Sequence, residues 1–582
     1  MSKQFRTSLI AIFVFFWSFG CGGRPATNQG TTPSTQRTNG TRGGTLTVRV
    51  TAPVKTLNYI MSDDEPGITV ALFLMQDRLV NFDHGKLEFR PGLAESWTPA
   101  PDGLSTTVKL REGLKFSDGH ALTADDVIFS LDAIYGVRTS VFRDAMLVDD
   151  KEIVVTKVNE RELKFDFPAP VAAAENYFIN LGILPRHVLE ADLKAGRLGE
   201  SWKITADPAS IVTSGPFTVA AAVPGEKVEL TRNPHYWRKD AAGTQLPYLD
   251  KLVVETISDA NNTYARLGNG SLDLADRIRA ADFGQLNAAQ APATARDVGP
   301  GLGIDHLFFN LNTSDASGKP LDNDKKLSWF GNKQFRLAIS HAIDRETLSN
   351  ATLQGLATPL YGFVSPANKV WLKPDLPKTV YDLKRAEQIL TDAGFKKTGE
   401  GPTAVLTDAQ GTPVEFTLIV QADNQARQLT AAAIQQDLAK LGIKVTVAPI
   451  ETAKVTEAFQ KTFQYDAALY GLSQTDLEPS SYQNFLLSSA PIHVWQPKQI
   501  KPASDWEARI DALFQQQSRE PDREKRKAAF FEIQQIMSEQ LPVIPIVARH
   551  VVAGGNNRIG NWSPSSILPY SLWNADELFI RQ

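Results

Sequence analysis

The chain holds one cysteine in 582 residues, and that residue, Cys21, closes the only strongly apolar N-terminal run. No disulfide can form within the chain, and Cys-based zinc or iron–sulfur sites are excluded. The fold must be held by apolar cores, and a composition of 42% hydrophobic against 22% charged residues supplies the material. Lys3 and Arg6 precede the run, and Leu9 to Phe19 is almost unbroken apolar sequence. That length suits the apolar region of a signal peptide and falls short of a transmembrane helix. No later stretch reaches spanning length. After Cys21, the segment to residue 44 is Gly, Thr, Asn, Gln, Ser and Pro with scattered Arg. It reads as a disordered tether, because it cannot bury enough apolar area to fold.

Order is expected to begin near Thr45, where T-L-T-V-R-V alternates as a strand. Pro101-Asp102-Gly103 and Asp118-Gly119 mark turns around a strand with Leu104, Thr106, Val108 and Leu110 on one face. Thr123, with Asp126 at capping-box distance, opens a helix carrying Val127, Leu131 and Ile134. Pro216–Val219 and Lys227–Leu230 read as a hairpin pair, and Lys251–Ile257 as a further strand. In the second half, Asp382 caps a helix with Leu383, Ala386, Leu390 and Ala393 on its face, stopped by Gly394. Glu415–Val420, a helix over Gln425–Leu441 and the alternating Ile443, Val445 and Val447 form an αβ unit. Such units favour α/β lobes with mixed sheets. Arg523–Gln540 is a long amphipathic helix.

The formal charge of -4 provides no basic surface for general nucleic-acid binding. The sequence lacks H-E-x-x-H, G-x-S-x-G and P-loop motifs, and its eight histidines are scattered without metal-ligand spacing. No enzyme, cofactor or metal site is expected.

The N-terminal run ending in Gly20-Cys21 resembles a bacterial lipoprotein signal, with Ser18 standing where such signals usually have Leu. The resemblance implies that residues 1–20 are removed and that Cys21 carries lipid. Two acyl chains would hold the protein stably, at about 0.8 kcal/mol per buried methylene.

Six segments in order resemble the family 5 extracellular solute-binding proteins, the peptide, dipeptide and nickel group of ABC-importer subunits. They are Leu93–Leu131 (L-A-E-S-W-T-P-A-P-D-G onward), 214–237 (S-G-P-F-T-V through N-P-H-Y-W), and 335–345 (F-R-L-A-I-S-H-A-I-D-R). The others are 382–395 (D-L-K-R-A-E-Q-I-L-T-D-A-G-F), 437–447 (D-L-A-K-L-G-I-K-V-T-V) and the 523–540 helix leading into L-P-V-I-P-I. Trp97, Phe116 and Trp237 are expected to fill cores, and Asp344 with Arg345 to form an internal pair.

The resemblance implies an α/β, two-lobed periplasmic-binding-protein fold, type II-like, with mixed sheets and an extra domain inserted in the first lobe. The first lobe would comprise 45–72, 210–307 and 546–582, the extra domain 73–209, and the second lobe 308–545. The chain would cross near Phe308–Leu311 and return near Pro542–Val547. The implied function is capture of a peptide or peptide-like solute between the lobes and delivery to ABC permease subunits with their ATPase. The protein would be an exported, lipid-anchored monomer facing the periplasm or cell exterior. Alternatives are a non-peptide solute, such as an oligosaccharide or metal chelate, or a role as ligand sensor.

In the peptide-binding branch a second-lobe acid holds the ligand's ammonium. The alignment over 465–485 puts Thr475 at that place, with Asp476 one residue later and Glu478 as another candidate. Tyr470, Gly471 and Ser473 belong to the same segment. Glu65, beside Asp63 and Asp64, lies where the family's N-terminal segment approaches the cleft. Tyr361 lies in a bordering loop, Trp495 is a candidate clamp, and His493 is the histidine to test for nickel.

Overall fold

A computed structural model describes residues 37–288, 291–474 and 476–581. The signal run, Cys21, most of the tether and Thr475 lie outside them. The main sheet has eleven strands, numbered in chain order. They are β1 (Thr45–Val50), β2 (Phe217–Val223), β3 (Lys227–Arg232), β4 (Lys251–Thr256), β5 (Leu274–Ala275) and β6 (Ala293–Phe309). The remainder are β7 (Ala357–Pro359), β8 (Glu415–Gln421), β9 (Lys444–Ile450), β10 (Ala467–Leu472) and β11 (Val543–Asn556). Their order is β2-β3-β4-β1-β5-β11-β6-β10-β8-β9, with β7 pairing β11.

Two parallel groups flank the long antiparallel pair β6 and β11. β1 runs parallel to β4 and β5, and β8 runs parallel to β9 and β10. Around the second group, strand alternation feeds two cores on opposite faces of the sheet. Leu307, Phe309, Leu418, Val420, Ala467 and Leu469 enter one core, and Phe308, Ile419 and Ala468 the other. The helix Gln425–Ala439 covers the first face with Ala431, Ile434 and Leu438, and Arg523–Gln540 covers the second with Phe530, Ile533 and Met537. Parallel strands need this double cover, because both of their faces are apolar.

Local chemistry sets the helix limits. Asp126 accepts the Thr123 backbone N–H at 2.9 Å, opening Ala124–Gly136. Asp382 accepts the Arg385 N–H at 2.9 Å, and Gly394 at φ +89 ends the same helix. Asp344 and Arg345 do not bond each other as expected. Asp344 caps the next turn through the Thr347 N–H at 3.0 Å, while buried Arg345 donates to the carbonyls of Ser340 and Pro545. Phe116 is buried. Trp97 and Trp237 are half-buried, and their N–H groups donate to Glu175 and Asp77.

A separate antiparallel sheet joins Ala94–Pro99, Ser105–Leu110, Glu162–Asp166 and Val154–Asn159. Its inner residues Val108, Leu110, Leu163 and Phe165 share one continuous core with Leu46 and Val48 of β1.

The pairing of β6 with β11 is irregular between Asp297 and Gly299 and between Pro300 and Ile304. This stretch reads Gly299-Pro300-Gly301-Leu302-Gly303, and Gly299 takes φ +95. Proline supplies no N–H to a ladder and glycine permits the left-handed turn, so the ladder breaks here. At the crossing expected near Phe308–Leu311 and Pro542–Val547, Phe308 pairs with Val543 and Ala468, and the register shifts once more between Asp305 and His306, opposite Val547 and Pro545.

Candidate functional site

The strand registers point to one place. β5 pairs Leu274 with Gly555 and Ala275 with Gly554, so its carboxyl end runs down β11 toward Ala548. β10 pairs Ala467 with Phe309 and Leu472 with Ile304, so its carboxyl end runs toward Gly303. The carboxyl ends of both parallel groups therefore meet at the irregular waist of β6 and β11. In open α/β sheets ligands bind outside the carboxyl ends of strands, where the topology switches.

On the second-lobe side, Gly471 of β10 pairs with Asp305 of β6. Asp305 is buried, and its Oδ1 accepts from Arg427 Nε at 3.0 Å and Nη2 at 2.7 Å. Arg427 comes from the first turn of the helix Gln425–Ala439, which Asn424 caps. Arg549 of β11 lies 3.4 Å from Asp305 Oδ2. The Arg427 guanidinium also lies 5.6 Å from the ring centre of half-buried Tyr470. A side chain at position 471 would collide with Arg427, which explains a glycine there. Ser473 is exposed and lies beside Gly303.

On the first-lobe side, Asp276 and Arg277 directly follow β5. Arg277 Nη2 donates to Glu65 at 2.7 Å, and its guanidinium lies 5.4 Å from the ring centre of Tyr570. The Ser571 hydroxyl donates to Asp276 Oδ1 at 2.5 Å and its backbone N–H to Oδ2 at 3.2 Å. Burial pushes the Asp276 carboxyl up to about 6, against the Ser571 hydrogen bonds. Burial also raises Glu65, opposed by the Arg277 charge.

The other expected residues divide. Tyr361 is half-buried, with the Arg345 guanidinium 5.3 Å from its ring centre. Asp476 accepts the Glu478 N–H at 2.8 Å. Glu478 is engaged by Arg526 at 2.5 Å. Trp495 sits in the second-lobe core at 1% exposure, its N–H donating to Glu507 at 3.1 Å. His493 is equally buried, with Nε2 3.2 Å from the same carboxylate. Burial would raise Glu507, but His493, Gln499, Ser504 and Trp495 outweigh it and hold the carboxyl at about 2. Neither ring is presented to a solute, because this carboxylate draws both inward. Among the described residues, no group of His, Cys, Asp and Glu is arranged to hold a metal ion. No helix among them is long and apolar enough to cross a membrane.

Of the residues gathered at the waist, the sequence reading singles out Glu65, Tyr470, Gly471 and Ser473 but not Asp276, Arg277, Tyr570, Asp305, Arg427 or Arg549. Each of these is defined by a partner far away in the chain, which no local spacing reveals.

The chain is 31% identical to a probable ABC transporter-binding protein of Deinococcus radiodurans, over 92% of each chain. It is 26% identical to the oligopeptide-binding protein AppA of Bacillus subtilis, over 92% of this chain and 91% of the other. The structure of AppA in complex with a nonapeptide superposes with a TM-score of 0.68, covering 93% of this chain and all of that one (100%). NikA of Brucella suis in complex with Fe(III)-EDTA, at 20% identity, gives a TM-score of 0.76 over 92% of this chain and 100% of its own. These neighbours are two-lobed binding proteins, and the mixed α/β architecture described above is theirs. The family described as bacterial extracellular solute-binding proteins, family 5 Middle, matches residues 88–493. With a match over most of the chain, and a relative similar along nearly all of it, the protein belongs to the family 5 bacterial extracellular solute-binding proteins.

Proposed function

We propose that the protein captures a peptide at the waist between its lobes and delivers it to the permease of an ABC importer. The observation that carries this reading is the convergence of both sets of parallel strand ends on the glycine-rich stretch Gly299–Gly303. A waist whose central ladder is broken can bend without unfolding either core, as hinge closure requires. The AppA–nonapeptide complex supports the choice of cargo. An extended peptide gains affinity from main-chain hydrogen bonds to strand ends and edges, so side-chain identity matters little. Closure excludes water and strengthens those contacts, and ligand drives it only by preferring the closed state. The protein performs no chemistry on its cargo. Glu65, Tyr361, Tyr470, Gly471, Ser473, Thr475 and Asp476 are the proposed ligand neighbours. In the proposed division, the lobes and extra domain follow the boundaries given above, with the hinge moved to the broken ladder.

The protein acts outside the cytoplasm as a monomer, held to the membrane by lipid on Cys21 after removal of residues 1–20. Mass spectrometry of the mature N-terminus tests the anchor, since an unmodified Cys21 rules it out. Native mass spectrometry of protein purified from its own host tests the cargo. A ladder of peptide masses is expected, and a single defined non-peptide mass would overturn the reading.

A further inference from the structure

Arg277 and Tyr570 both take left-handed backbones, at φ +54 and φ +52. For non-glycine residues this conformation costs on the order of 1–3 kcal/mol each and persists only where the surroundings impose it. Here the two strained residues, from distant parts of the chain, touch: the guanidinium lies over the Tyr570 ring. Next to them, Asp276 and Ser571 are tied by two hydrogen bonds. The end of β5 and the 570–571 turn thus brace each other around one arginine.

The Glu65–Arg277 ion pair does not account for that strain. The side chains are 33% and 42% exposed, and such pairs contribute about 0–1 kcal/mol. The bracing does fix where the guanidinium points. Glu65 is its hydrogen-bond partner among the described residues, so most of the N–H fork remains available. A planar, fixed fork matches a carboxylate in a bidentate manner. Arg49, whose Nη1 lies 3.4 Å from the Asp276 carbonyl, adds a second positive charge.

We propose that Arg277 is the first-lobe anchor for a carboxylate of the captured solute, with Glu65 and Tyr570 as positioning residues. Resting on the peptide reading above, the inference assigns that carboxylate to a free peptide C-terminus. The second-lobe segment around Thr475 is then not required to supply the charged contact.

The test incubates the full-length protein with two tryptic digests of casein, one as free acids and one methyl-esterified, and reads bound masses by native mass spectrometry. The wild type is expected to retain free acids over esters by about tenfold or more, the worth of a charge-assisted hydrogen bond. Arg277→Gln should erase the preference, and Arg277→Lys should keep part of it. Glu65→Gln should reduce the ratio, a change that a purely structural role would not produce. Should Arg277→Gln fail to fold, the wild-type and Lys ratios decide. Equal retention of both digests by the wild type, or an undiminished preference in the variants, overturns the anchor while leaving peptide capture standing. Retention of neither digest overturns peptide capture and the anchor with it.

Discussion

Two arginine–carboxylate pairs stand near the waist, with the same chemistry and opposite burial. The side chains of Arg427 and Asp305 are 7% and 3% exposed, whereas those of Arg277 and Glu65 are 42% and 33% exposed. A buried pair has lost its hydration, so each partner depends on the other. An exposed pair keeps water as an alternative and contributes little to stability. The difference separates the roles. Arg427–Asp305 ties the helix Gln425–Ala439 to β6 beside β10, whereas Arg277–Glu65, open to water, has the exposure that the proposed solute contact needs.

The comparison breaks if both pairs matter equally for folding. Arg427→Ala removes both hydrogen bonds to Asp305 Oδ1 and leaves the buried carboxylate with the half-exposed Arg549, 3.4 Å from Oδ2, as its remaining counter-charge. It should cost about 3–5 kcal/mol by denaturant unfolding. Arg277→Gln should cost less than about 1 kcal/mol in the same measurement. Equal losses would mean that the exposed pair is structural.

Next in size is Gly471→Ala. The new methyl would collide with Arg427 and lie 2.9 Å from Asp305 Oδ1. Strand geometry tolerates alanine, so the penalty is overpacking, about 2–3 kcal/mol. Its origin is checkable by a double-mutant cycle. If the methyl acts by displacing Arg427, the cost in an Arg427→Ala background should fall well below that in the wild type. Additive losses would place the damage elsewhere.

These residues also mark what could be read from sequence. The αβ units, the caps at Asp126 and Asp382, and the long helix Arg523–Gln540 follow from local periodicity and turn chemistry. Gly471 was reached by family resemblance, but its reason, the guanidinium against it, depends on a contact with a different helix. Trp495 illustrates the opposite error. An aromatic residue near a binding segment invites a functional reading, and only the burial of Glu507 beside it shows why the ring turns inward. Arg277 could not be singled out, because a two-residue strand such as β5 carries no periodicity and a positive φ at arginine has no sequence signature.

A smaller effect than that of Gly471→Ala separates the two regions by pH. The Asp276 carboxyl is held at about 6, above its unfolded value of 3.8. Between those values the folded state binds more protons than the unfolded state, so this group makes stability fall as pH rises from about 4 to about 6. Above that window both states are ionised and the penalty is constant. Glu507, held at about 2, has the opposite sign: its contribution is present above 4.5 and is lost as pH falls through its folded value. Asp276→Asn removes only the first effect. Unfolding free energy measured against pH should show the variant gaining on the wild type by about 1–2 kcal/mol from pH 4 to pH 7, after allowance for solvent screening. The difference should be flat at higher pH. A flat difference across the whole range would mean that Asp276 titrates normally, and that the first-lobe rim is as well hydrated as an ordinary surface.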